Sequence, residues 1–144
     1  MTEAVQMQSP HGEALGIVTH DNPTPRARLT VPYAEDLVGD PDSGVLHGGV
    51  ITAALDNASG QAVRKHPSWD TEQMMATLDL RIDYMKPATP HAELVVEAEC
   101  YKITRNVAFV RGVAFHDSAD DPVATSVGTF MLGTRSTPRE AGSR

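Results

Sequence analysis

Residues 50–63, Val-Ile-Thr-Ala-Ala-Leu-Asp-Asn-Ala-Ser-Gly-Gln-Ala-Val, leave few folds open to this chain. Val50, Ala53, Ala54, Leu55, Ala58 and Ala62 recur at three- and four-residue spacing, the pattern of a helix built to be buried. It should end near Arg64-Lys65-His66, where basic residues suit the carbonyl end and Pro67 follows. Past residue 77 the period changes. Leu78, Leu80, Ile82 and Tyr84 alternate with Asp79, Arg81 and Asp83, as in a half-buried strand with one wet face. Further strands are expected at 94–103, 107–116 and 123–132. They are joined by connections short enough for antiparallel hairpins, at 104–106 and 117–121. Two shorter strands are expected at 14–20 and 27–33, split by the turn Asp21-Asn22-Pro23-Thr24-Pro25. Four consecutive strands make a sheet with one apolar face, and the only long apolar element available to cover it is the helix. The expectation is an α+β domain, a curled antiparallel sheet wrapped around one central helix.

A chain of 144 residues suits one domain with a real core. The expected division is a loose N-terminus at 1–10, a single domain at 11–133 and a polar, flexible tail at 134–144. The one cysteine, Cys100, excludes an intrachain disulfide framework and reads as a small core residue. The first residues show no basic segment followed by an apolar one, and no apolar run approaches bilayer length. A cytoplasmic location is expected by default. A net charge of −7 argues against nucleic acid as the main partner, because phosphate contacts need a basic face. His11, His20, His66, His91 and His116 lack metal-ligand spacing, and no glycine-rich phosphate loop is present. No metal or cofactor is expected.

Asp56 interrupts the apolar helix. A carboxylate there is costly to bury unpartnered, so it is either satisfied by a hydrogen-bond network or kept for chemistry. Gly48 and Gly49 stand where the helix begins, where backbone N–H groups are free and the dipole is positive. At 100° per residue, Gly48, Gly49, Thr52, Asp56, Ser59, Gly60 and Val63 share a stripe of mostly small or polar groups that something can approach closely. Eight residues separate Gly48 from Asp56, roughly 12 Å along a helix. A base and an oxyanion donor must both lie about 3 Å from one reacting centre. One chain cannot easily supply both, but two antiparallel copies of the helix about a two-fold axis would bring Asp56 of one to Gly48 of the other.

Four segments together carry a resemblance: Gly44-Val45-Leu46-His47-Gly48-Gly49; Leu55-Asp56-Asn57, with Asp56 nine residues after His47; Thr77 through Ala88 in the alternating strand; and Val107-Ala108-Phe109-Val110-Arg111-Gly112. The chain resembles the hot-dog fold over about residues 35–132, specifically acyl-CoA thioesterases of the phenylacetate-degradation type. The resemblance implies hydrolysis of an acyl-CoA to a free acid and coenzyme A, by a homodimer or a dimer of dimers. It implies that the Gly48 N–H polarises the thioester carbonyl, that His47 supports that loop, and that Asp56 activates water or attacks directly across the dimer interface. Thr77 falls where some members carry a Ser or Thr that orients the water. Gly49, Asn57, Ser59 and Gly60 are expected to face substrate. Lys86, Lys102, Arg105 and Arg111 are candidates for the coenzyme A phosphates, with solvated strand ends as the other reading. One departure stands out. Many members carry Asn or Gln about six residues before the motif histidine, where this chain has Pro41.

Two alternatives remain open at this level. One is a hot-dog enoyl-CoA hydratase or dehydratase, although the usual spacing of its His and acid is not evident. The other is a non-catalytic acyl-CoA-binding module, to which Pro41 lends weight.

Overall fold

The structure, a computed structural model, describes residues 9–134. The expectations for residues 1–8 and 135–144 lie outside them. Helix α1 (Pro10–Ala14) opens the described chain, followed by β1 (Val18–His20) and β2 (Arg26–Val31). A 3₁₀ turn (Glu35–Leu37) leads to β3 (Val38–Asp40) and β4 (Val45–Leu46), then α2 (Gly48–Lys65). Four long strands complete it: β5 (Met74–Tyr84), β6 (Leu94–Ile103), β7 (Val107–Phe115) and β8 (Ala124–Thr134). The main sheet has six antiparallel strands in the order β1-β2-β6-β7-β8-β5, and β3 and β4 form a separate ribbon. Helix α2 packs chiefly on β2, β6 and β7. This is the hot-dog arrangement of one helix held by a curled sheet.

Helix α2 starts and stops for local reasons. The His47 ring accepts the Gly49 N–H at 2.8 Å and so caps the first turn. At the other end Pro67 drives His66 into an extended conformation, and the helix stops. Lys65 Nζ then donates to the carbonyls of Asn22 and Arg26, at 3.0 and 2.9 Å, tying the helix end to the β1–β2 turn. Ala54, Leu55, Ala58 and Ala62 are fully buried against Leu29, Val96 and Val110 in one core cluster. Small residues dominate the helix side of this contact, which lets backbone and sheet approach closely.

Three expectations change. Ala14 ends a helix instead of beginning a strand. Ser9 accepts the Gly12 N–H and Pro10 takes a first-turn position, so these two residues belong to α1. Residues 36–43, whose Gly, Asp and Pro content predicts a loop, hold β3 of the β3–β4 ribbon, too short to show a period. Finally, β5 is half-buried only in part within one chain: Leu80 and Ile82 are half-covered, Ile82 against the core, as the alternation predicts, but Leu78 and Tyr84 are not. It is the edge strand, with Leu78 and Tyr84 about half exposed, at 51% and 53%.

Candidate active site

Asp56 and Thr77 meet because β5 contains a bulge. Strict alternation would put Thr77 on the outer face with Asp79 and Arg81. The register shifts between Thr77 and Asp79, so Thr77 pairs with buried Phe130 and turns toward the helix. There its Oγ1 donates to Asp56 Oδ1 at 2.9 Å, which fixes one carboxylate oxygen. The carboxylate lines a cleft of about 650 Å³ between α2 and β5. Asp56, Asn57, Gln61 and Arg64 give the cleft polar groups, and Ala53, Met75, Phe130 and Ile17 give it apolar ones. Asn57 Oδ1 accepts from Gln61 Nε2 at 2.8 Å, and Gln61 also donates to Thr19 Oγ1 at 3.2 Å. Gly60 lines the cleft as well, where a Cβ would make only ordinary contact with the Met75 methyl, at 3.6 Å.

The two glycines of the helix start are not equivalent. The Gly49 N–H is occupied by the His47 ring, so, contrary to expectation, it is not free for an oxyanion. A Cβ at Gly49 would lie 2.8 Å from His47 Nδ1, so a glycine is required for this cap. At Gly48 a Cβ would make only ordinary contacts, 3.5 Å from the Tyr84 ring, and the backbone has no positive φ. Nothing within the chain demands glycine there. Its bare Cα opens on a shallow hollow of about 410 Å³ lined also by Tyr84, Lys86 and Ile51. The Gly48 carbonyl accepts from Tyr84 Oη at 2.9 Å and Thr52 Oγ1 at 3.3 Å.

Other expected site residues lie elsewhere. Ser59 is 1% exposed, set in the core with its hydroxyl unpartnered, and does not line the cleft. It is about 60° from Asp56 around the helix, on the side leading to Leu55 and Ala62, where the sheet covers it. Arg111 stands on the outer sheet face over the Tyr101 ring, 4.0 Å from its centre, far in direction from the cleft. Arg105 is exposed in the β6–β7 turn, at the end of the sheet remote from Gly48. Lys86 does border the Gly48 hollow, paired with Asp121 at 2.6 Å. Arg64, in the cleft wall, reads from sequence only as a helix-ending cation. Pro41 sits in an exposed turn where Asp40 accepts from Ser43 Oγ at 2.7 Å and the Asp42 N–H at 3.1 Å. The Ser43 hydroxyl above all, with the backbone N–H groups of Asp42 and Ser43, holds the Asp40 carboxyl below its usual range against some desolvation. Among the described residues no cluster of His, Cys, Asp and Glu could hold a metal ion.

The fold has counterparts in known proteins. The thioesterase superfamily profile matches residues 43–122, a span running from the loop before α2 through β7. The chain belongs to the thioesterase superfamily. As a member it is a thioester hydrolase. A crystal structure of a Pseudomonas aeruginosa protein is similar at 41% identity, covering 84% of this chain and 88% of its own, with a TM-score of 0.73. The medium/long-chain acyl-CoA thioesterase YigI of Escherichia coli is 27% identical over 135 residues, 86% of each chain. The phenylacetic acid degradation protein PaaI of Thermus thermophilus shares the fold, with a TM-score of 0.72 at 24% identity over 85% of this chain and 98% of its own.

Proposed function

We propose that this thioesterase hydrolyses acyl-CoA thioesters at a site formed between two copies of the chain. The observation that carries the reading is Asp56: a carboxylate steadied on one oxygen by Thr77, at the wall of a cleft with an apolar lining. The apolar residues suit an acyl chain. Asp56 takes a proton from water as that water attacks the thioester carbon, or attacks the carbon itself through an anhydride. In both routes the C–S bond breaks and coenzyme A leaves as the thiol once protonated; in the second, water then cleaves the anhydride, releasing the acid and restoring the Asp56 carboxylate. The Gly48 N–H of the partner copy meets the oxygen on which negative charge develops. The similarity to a medium/long-chain acyl-CoA thioesterase supports a coenzyme A ester as substrate. Lys86, beside the Gly48 hollow, is better placed than Arg105 or Arg111 to meet a phosphate.

Thiol release across short, medium, long and aromatic acyl-CoAs tests the reading. Release with at least one class is expected. No release above background with any, or hydration of an enoyl-CoA in its place, would remove it.

A further inference from the structure

We infer that Tyr84 is a positioning residue for catalysis, acting through the Gly48 carbonyl to aim the Gly48 N–H. This rests on the reading of Gly48 as oxyanion donor. The peptide group joining Gly48 to Gly49 is held at both ends by side chains. Its carbonyl accepts from Tyr84 Oη at 2.9 Å; Thr52 Oγ1, 3.3 Å from the same carbonyl, also lies against Tyr84 Oη, so its one proton is shared between the two. Its N–H donates to His47 Nδ1 at 2.8 Å. The Tyr84 ring lies against the bare face of Gly48, 3.5 to 3.6 Å from the point a Cβ would occupy.

The clamp answers a physical need. Glycine is the most permissive residue in backbone conformation, and Gly48 stands at the first turn of a helix, where the backbone has no intrahelical donor bonds to steady it. An oxyanion donor must be held within about 0.5 Å of its productive position. With the following peptide plane fixed at both ends, only the two Gly48 torsions, about Cα–C and N–Cα, are left to move its N–H. Tyr84 reaches it from the last position of β5, the strand that also carries Thr77. One strand therefore sets both the carboxylate and the glycine of its own chain. These belong to opposite sites if the pair acts between subunits, so each β5 would tune two sites.

Tyr84→Phe keeps the ring and removes the hydroxyl. Expected is a kcat about tenfold or more below wild type on the best acyl-CoA, with KM within about twofold. The thermal midpoint should barely move, since an exposed ring loses one hydrogen bond. Thr52→Val should act in the same direction, and the double variant should fall short of the product of the two, because both hydroxyls serve one carbonyl. If Tyr84→Phe fails to fold, Thr52→Val alone carries the test by the same kcat and KM split. A kcat within about twofold of wild type in folded variants, or a loss confined to the melting temperature, overturns the proposal. Wild type and Asp56→Asn are measured alongside. Turnover that needs Asp56 but ignores Tyr84 removes only this inference, whereas no wild-type turnover removes the functional reading with it.

Discussion

His47 uses its ring on the Gly49 N–H, and that one contact makes the two glycines of the helix start unlike. The neighbouring Gly48 N–H is the one that the proposed function gives to the substrate. Asp56 is similarly divided: Thr77 holds Oδ1, while the carboxylate itself lines the cleft. Asp56→Asn preserves an acceptor for Thr77 and removes the basicity. Turnover should fall by about two orders of magnitude or more, with the fold retained by circular dichroism. Near-normal turnover would make Asp56 a structural acid. Cys100 is a useful internal control for assays that count released thiol. Burial first, with the charge of Glu99 adding, pushes its thiol above the ordinary range, and contacts with the backbone of Lys102 and Phe109 offset this only in part. The thiolate is the reactive form, so Cys100 should react with a thiol reagent at about pH 8 far more slowly in folded protein than in urea. Equal rates in both would mean the strand is not packed as described. The places of His47 before α2, Gly48 at its start and Asp56 within it are legible in the sequence because helix start and spacing are local features. Ser59 is misread because a helical projection ranks residues by angle alone, and the sheet covers the helix to within about 60° of Asp56.

At the scale of elements, α2 and the sheet are fitted through small side chains and a few larger ones, Ile51, Leu55 and Val63 among them. Leu55 is fully buried, next in sequence to Asp56. A Cβ added to Gly112 of β7 would lie 3.1 Å from Leu55 Cδ2, so the leucine packs into the space that glycine leaves. Leu55→Ala should cost about 2–5 kcal/mol in chemical denaturation. A loss below about 1 kcal/mol would show that the helix does not seat here. The strands from β6 to β8 are legible almost residue for residue, since alternating burial and short polar turns are dictated by nearest neighbours. The bulge in β5 is not. It depends on how eleven residues pair with β8, and no alternation within β5 records that Thr77 and Asp79 have parted company. Helix α1 escapes a reading that weighs only apolar period, although Ser9-Pro10 is a start signal of another kind. The β3–β4 ribbon, of three and two residues, is held by partners and leaves no pattern in sequence.

For the whole molecule the decisive feature is what one copy leaves uncovered. Strand β5 is an eleven-residue sheet edge, with Met74, Leu78, Tyr84 and adjoining Met85 each about half exposed, at 50 to 55%. A long edge that leaves large apolar side chains open on one face, despite the charges of Asp79, Arg81 and Asp83 on the other, invites pairing with another chain. The half-buried side of α2, from Thr52 to Gly60, lies beside it. A second copy seated there would cover both, and would bring its Gly48 toward Asp56 across the roughly 12 Å that a single helix cannot close. Light scattering should therefore give a dimer or larger species. The shared site is tested with two inactive variants, Asp56→Ala and Gly48→Val. The valine adds bulk where a Cβ already touches Tyr84. Isolated heterodimers of the two have one intact site, with Gly48 from the first chain and Asp56 from the second, while the other site bears both lesions. Activity should return to about half the wild-type value per dimer, if the sites act independently. Confirmed exchange with activity still at the parental level would place Asp56 and its oxyanion donor in the same subunit, unless Gly48→Val also disables the opposite site. An intact interface in the crystal of Gly48→Val, together with that silence, would leave the trans arrangement untenable.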